Sequence, residues 1–157
     1  MAQKLLLIDT REKPQAIKEI IHTFDEAGVS YTRSKLLFGD YMDFNRPQIV
    51  IDRKQNILEL AKNVTADRAR FVAELERAKA CDSKLVILVE QDRYKDRGKW
   101  VFINELSDIL LWSSEHTNIR GEKVFRVLSA LVYKYNISVM FCNKKNTGRK
   151  ILEIIYG

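Results

Sequence analysis

Asp40, Asp52 and Lys54 are residues whose types and spacing can do chemistry. They lie in GDYMDFNRPQIVIDRK, Gly39 to Lys54, at the ends of apolar runs that read as buried strands, where an unpaired charge is costly. On a strand, side chains at i and i+2 share a face, so Asp52 and Lys54 project together while Arg53 points the opposite way. Asp40 follows Gly39, a residue that permits a tight bend, on the preceding strand; pairing of the two strands across Asn45 to Pro47 brings Asp40 beside Asp52. Two neighbouring carboxylates repel, burial further opposes their ionisation, and a divalent cation relieves both penalties. Oxygen ligands without a thiol point to Mg2+ or Mn2+, ions that leave room for a substrate phosphate. Lys54 would then stabilise developing charge or orient and help deprotonate an attacking water, a set of parts suited to phosphodiester hydrolysis. The plainer alternative is a hairpin with ordinary surface ion pairs, since D-x-K is a common tripeptide. Three features favour chemistry: the pair ends the apolar run Ile49 to Ile51, Asp40 follows a glycine on a neighbouring strand, and Asp9 with Glu12 leaves the first expected strand.

The elements that must position these groups follow from hydrophobic periodicity. Lys4 to Asp9 reads as a buried strand, and Ile17, Ile20, Ile21 and Phe24 mark one face of a helix over Gln15 to Ala27, stopped by Gly28. Ser30 to Phe44 and Arg46 to Lys54 read as two or three adjacent antiparallel strands. A short helix is expected over about Asn56 to Lys62, and a longer one opening at Thr65 with Phe71, Leu75 and Ala78 on its apolar face. Lys84 to Glu90, continuous and β-branched, suits a central strand covered on both faces. Gln91 to Lys99 reads as a loop and Trp100 to Trp112 as part of an apolar helix. A helix bearing Val124, Val127, Leu128, Leu131 and Tyr135, a strand over Ile137 to Cys142 and a closing helix complete the chain. The pattern is an α/β sandwich around a mixed central sheet flanked by helices.

One domain spanning 1–157 is expected for a chain of 157 residues with 46% hydrophobic content and no Pro/Gly/Ser-rich linker. Twenty-seven Lys and Arg against 21 Asp and Glu give a net charge of +6, which favours a polyanionic partner. Cys81 and Cys142 form neither a disulfide framework nor a zinc motif, so a reducing cytoplasm is expected. The short apolar run Leu5 to Ile8 argues against a signal peptide or membrane span. His22 and His116 read as ordinary helix residues.

With these residues in view, GDY at Gly39 to Tyr41 followed by IDRK at Ile51 to Lys54 resembles the GD...ERK motif of the XPF-family structure-specific nucleases, a branch of the restriction-endonuclease-like PD-(D/E)xK fold. IDTREK at Ile8 to Lys13 resembles the family's VDxRE opening, and ARFVAELERA at Ala69 to Ala78 its RFxxEl.RA helix. LVILVE and the segment from Ser129 to Leu152 resemble its central strand and closing helix, strand and helix. The resemblance implies a restriction-endonuclease-like core and an Mg2+-dependent endodeoxyribonuclease acting on branched DNA such as flaps, forks or Holliday junctions. It implies metal-binding and catalytic roles for Asp40, Asp52 and Lys54, and a supporting role for Glu12. Asp9 becomes a supporting acid and third metal candidate. It also gives Arg53 a site-shaping or DNA-contacting role that strand parity does not. Asp52 stands where the family has Glu, and Leu58 stands where it has an acid, with Glu59 one position later. Cellular relatives usually carry a tandem helix-hairpin-helix module, and often a helicase; a free-standing nuclease domain without either is the expectation here.

Three basic groups are candidates for DNA phosphates: Arg68, Arg70, Arg77 and Lys79; Arg93, Lys95, Arg97 and Lys99; and Lys144, Lys145, Arg149 and Lys150. Arg11 joins them from the opening motif. Each group is equally readable as solvated surface. The segment Trp100 to Trp112 holds more apolar residues than one helix stripe needs, which fits either a buried helix or, as relatives pair through this domain, a homodimer surface. A catalytically silent DNA-binding or partner subunit on the same fold, and a nuclease for linear duplex or RNA, are the rival readings.

Overall fold

The computed structural model describes residues 3–157. Its main sheet has six strands in the order β2-β1-β3-β4-β5-β8: β1 (Leu5–Ile8), β2 (Ser30–Arg33), β3 (Tyr41–Asp43), β4 (Arg46–Lys54), β5 (Lys84–Val89) and β8 (Ser138–Phe141). A separate hairpin pairs β6 (Arg93–Asp96) with β7 (Lys99–Phe102). The helices are α1 (Lys18–Glu26), α2 (Ile57–Val64), α3 (Arg68–Ala80), α4 (Gly121–Tyr135) and α5 (Thr147–Tyr156).

The sheet is mixed, as the alternation of strands and helices implies. β1 runs antiparallel to β3 and β3 to β4, while β4, β5 and β8 are parallel. Parallel strands need crossovers, and α2 with α3, then α4, supply them. Alternation along β4 and β5 divides the apolar side chains between two cores. Leu6, Ile8, Ile51 and Leu88 pack with Ile20, Phe24, Ile151 and Ile155 of α1 and α5. Val50, Leu85, Ile87 and Val89 pack on the other face with Leu60, Phe71, Leu75, Val124 and Leu128 of α2, α3 and α4.

Three expectations are corrected. β2 does not join an antiparallel run with β3; it pairs parallel to β1 at the sheet edge, because α1 carries the chain across between them. Asp40 precedes β3 rather than lying within it. The helix expected around Trp100 to Trp112 is instead β7 followed by a 3-10 turn at Leu106–Ile109. Arg97 and Gly98 both take positive φ, 51° and 80°, the requirement of a two-residue hairpin turn matched to strand twist. Farther on, the Asp108 carboxylate accepts from the backbone N–H groups of Asn104 and Glu105, which ties off a short turn where an apolar count suggested a longer helix. The remaining helix ends differ by a few residues: α1 and α3 begin at Lys18 and Arg68, and α2 runs on to Val64.

Candidate active site

Gly39 brings the first carboxylate into place. Its φ is +72°, and a Cβ there would stand 2.4 Å from Val50 Cγ1, so a side chain has no room at this crossing. The next residue is clamped between strands: Asp40 N–H donates to the Ile51 carbonyl at 2.7 Å, and the Asp40 carbonyl accepts from Asp9 N–H at 2.8 Å. Arg53 N–H then donates to Asp40 Oδ2 at 2.8 Å, fixing the side chain at the end of β4.

Asp52 and Lys54 share the face of β4 turned toward α3, as strand parity requires. Lys54 Nζ lies 3.2 Å from Asp52 Oδ2 and 5.9 Å from the centre of the Phe71 ring. Asp40, Asp52 and Lys54 line one cavity of about 460 Å³ together with Glu12, Glu59, Lys62, Arg70 and Glu74, among others.

Glu74 was not singled out from the sequence, although a signal exists. It lies three residues after Phe71 and four before Ala78, so α3 carries an acid within its buried stripe. Burial, with the charge of Asp52 next, pushes Glu74 up to about 8, against an ordinary value of 4.5. Burial and the charges of Asp52 and Glu12 hold Asp40 well above the usual carboxylate range. Asp52 is close enough to both Asp40 and Glu74 for its charge to oppose their ionisation. Glu74 Oε1 is buried without a hydrogen-bond partner, while Asp52 Oδ2, also buried, has the Lys54 ammonium at 3.2 Å. Burial opposes the Lys54 ammonium, but Asp52, Glu74 and Asp40 outweigh it and raise its pKa. Lys54 is therefore held as a cation and is a poor proton acceptor.

The reverse face of β4 is different. Arg53 is buried there, its Nε and Nη2 donating to the two carboxylate oxygens of Glu12 at 2.8 Å each, and its Nη1 to Glu90 Oε1. Thr147 Oγ1, at the start of α5, donates to Glu90 Oε2 at 2.5 Å. Burial opposes the guanidinium charge, yet Glu12 and then Glu90 raise the Arg53 pKa on balance. Neither Glu90 nor Thr147 was anticipated as part of this arrangement; Glu90 directly follows the central strand, and its acidity after five buried residues was the available sign.

Asp9 does not line the cavity that holds Asp40 and Asp52, although its N–H donates to the Asp40 carbonyl. Its Oδ1 accepts from Leu36 N–H at 2.9 Å and its Oδ2 from Arg11 Nε at 2.6 Å, so the expected third metal ligand serves as a loop anchor here. Burial raises its pKa, but Arg11 and the backbone N–H groups of Leu36 and Arg11 lower it overall. Of the basic candidates, Arg11 and Arg70 line the cleft, joined by Lys13 and Lys62, whereas Arg68, Lys144, Lys145 and Arg149 do not. Leu58 packs against the core, and Glu59 lines the cleft, where it accepts from Gln55 N–H at 3.0 Å. His22 pairs with Glu26 on the surface, away from the cleft.

The ERCC4 domain model matches residues 8–154. XPF from Aeropyrum pernix is similar in structure, with a TM-score of 0.65 at 18% identity over 96% of this chain and 62% of that one. The same protein in complex with DNA gives a TM-score of 0.64 at 19% identity over 97% of this chain and 63% of that one. This chain thus spans less than two thirds of the solved relatives, and at these identities the likeness establishes the fold. No curated protein matches the sequence.

Proposed function

Because this chain belongs to the ERCC4-domain family and has the XPF nuclease fold, we propose that it is an Mg2+- or Mn2+-dependent endonuclease that hydrolyses phosphodiester bonds in branched DNA. The observation that carries the reading is the cleft in which Asp40, Asp52 and Lys54 meet, with Asp52 only 5% exposed, paired with the Lys54 ammonium at 3.2 Å, and a third acid, Glu74, lining the same cavity. Three acids, Asp40, Asp52 and Glu74, around the buried ammonium of Lys54 leave negative charge that a bound cation would offset. Among the described residues no three acids, histidines or cysteines form a ready metal cage. Mg2+ needs none, since one or two carboxylates with water and substrate phosphate suffice, and Asp40 with Asp52 would hold it. Such an ion supplies neutralisation of charge on the phosphodiester. Lys54, held cationic, stabilises negative charge as it develops on the phosphate oxygens. Arg11, Lys62 and Arg70 on the cleft walls bind flanking phosphates without reading bases.

DNA as the partner is supported by the DNA complex of the Aeropyrum pernix relative. A homodimer belongs to the same reading and would cover Leu110 and Leu111, which are exposed beside the 3-10 turn. The silent-subunit alternative draws on Leu58, which places no acid where the family pattern has one. Cleavage of labelled flap, fork, four-way junction, duplex and single-stranded DNA in Mg2+, Mn2+ or EDTA separates the two. Metal-dependent cutting of branched species is expected, with Asp40→Asn slowing it at least about a hundredfold. Equal cutting by wild type and Asp40→Asn would remove the assignment, and DNA binding with no cutting would favour the silent subunit.

A further inference from the structure

The β6–β7 hairpin presents an outward face that the proposed chemistry does not use. In its register Lys95 stands opposite Trp100 and Arg93 opposite Phe102, so these four side chains share one face, while Tyr94 and Val101 lie on the other. The inward pair is anchored: Tyr94 is buried and its O–H donates to the Asp108 carbonyl at 2.7 Å, and Val101 packs against the core. The outward pair is exposed, Trp100 by 52% and Phe102 by 59%. Arg93 Cζ and Lys95 Nζ lie 4.8 and 5.0 Å from the centre of the Trp100 ring.

Beside this face is a cavity of about 650 Å³, larger than the catalytic cleft. Trp100 and Arg93 form one wall; Trp112 and His116 contribute another side; Lys144 enters from the segment after β8. It opens at the carboxyl ends of parallel strands β5 and β8, where α/β sheets commonly bind ligands. Helix α2 borders both cavities, and so does the Arg53–Glu90 pair, Arg53 lining the cleft and Glu90 this cavity. Leu58 of α2 borders this cavity, whereas Glu59, Lys62 and Asn63 of the same helix border the other.

Exposed aromatic rings on a hairpin anchored through Tyr94 and Val101, each with a cation beside or opposite it, match the requirements of a single nucleic-acid strand: a flat surface for the base and a positive charge for its phosphate. Duplex DNA cannot use the rings, because its bases are stacked on one another. We propose that the outward face of β6–β7 and the cavity beside it bind unpaired nucleotides of the DNA substrate, separately from the cleft that cuts. This rests on the branched-DNA reading above and names the part of the substrate that sets it apart from duplex: the displaced single strand. Bases would stack on Trp100 and Phe102, with Arg93, Lys95 and Lys144 meeting phosphates.

The test is fluorescence anisotropy in EDTA with a short labelled oligothymidylate, a flap and a blunt duplex, comparing wild type, Trp100→Ala and Trp100→Phe. Trp100→Ala should weaken the oligothymidylate and flap about tenfold while leaving the duplex unchanged, and Trp100→Phe should recover most of the loss. Equal affinity of wild type and Trp100→Ala for the oligothymidylate, or an equal loss on duplex, overturns the site while leaving the nuclease reading intact. A Trp100→Ala protein changed only in sedimentation would give this face to a second copy of the chain. Wild-type protein that binds none of the three DNAs overturns the nuclease reading and this site together.

Discussion

The two faces of β4 carry charge in opposite ways. On one, Arg53 is met by Glu12 and Glu90, and Glu90 by Thr147, so each buried charge has a partner. On the other, Asp40, Asp52 and Glu74 share one ammonium, that of Lys54, Glu74 keeps a buried oxygen without a hydrogen bond, and Asp40 and Glu74 are held protonated beyond their usual range. Residues 52, 53 and 54 are consecutive, so composition cannot explain the contrast. The difference teaches how to read buried charge: a network in which each charge is met supports the strand, and one left with an excess of acids beside a cavity is where a ligand is to be sought. The satisfied side also acts on the acid-rich side, because Arg53 N–H holds Asp40 while its guanidinium is locked behind the sheet.

The sharpest way to break this contrast is Arg53→Met. It leaves Glu12 and Glu90 buried together without their cation, and unfolding in urea should show a loss of about 3–5 kcal/mol. A midpoint unchanged from wild type would mean that the network does not support the fold. Thr147→Val takes the hydroxyl from Glu90 Oε2 and should cost about 2 kcal/mol in the same experiment, with cleavage affected only through stability.

The acid-rich face should respond to pH rather than to loss of packing. Glu74 titrates at about 8 in the folded chain against an ordinary 4.5, so between those values the native state binds more protons than the unfolded chain. Its contribution to stability is therefore fully present below about 4.5 and is lost as pH rises through about 8. Asp40, raised in the same direction, adds to the decline. Melting temperature measured against pH in EDTA should fall across this window for wild type and less steeply for Glu74→Gln. Superimposable profiles would show that Glu74 is not held as described.

Much of this site was legible beforehand, for reasons that differ by residue. Asp52 and Lys54 share a face because strand side chains alternate, a local rule that needs no tertiary information. The same rule sent Arg53 to the opposite face, as found. Asp40 was placeable because a glycine and a short turn constrain a hairpin nearly as tightly. Glu74 and Glu90 were harder. Both are acids on otherwise apolar surfaces, and a single acid there reads as easily as the exposed edge of a stripe until the opposing element is known. Asp9 misled in the other sense, since its proximity to the first strand's end suggested a ligand while Arg11 and Leu36 N–H occupy its oxygens.

The stretch from Gln91 to Trp112 shows where local reading stops. Its apolar count fits a helix, but Arg97 and Gly98 turn the chain back on itself, and Trp100 and Phe102 alternate with Val101. A period of two was present over too few residues to compete with a longer apolar run. Outside that stretch the sequence alone determined the order of strands and helices, and it determined the cleft's principal acids and lysine and the family, because these depend on periodicity and on motifs a few residues long. Only the tertiary structure decided which charges are satisfied, that α3 contributes Glu74 to the cleft, and that a second cavity shares α2 with it. Those facts depend on distances between residues far apart in the chain, and packing of the two cores against the sheet sets such distances.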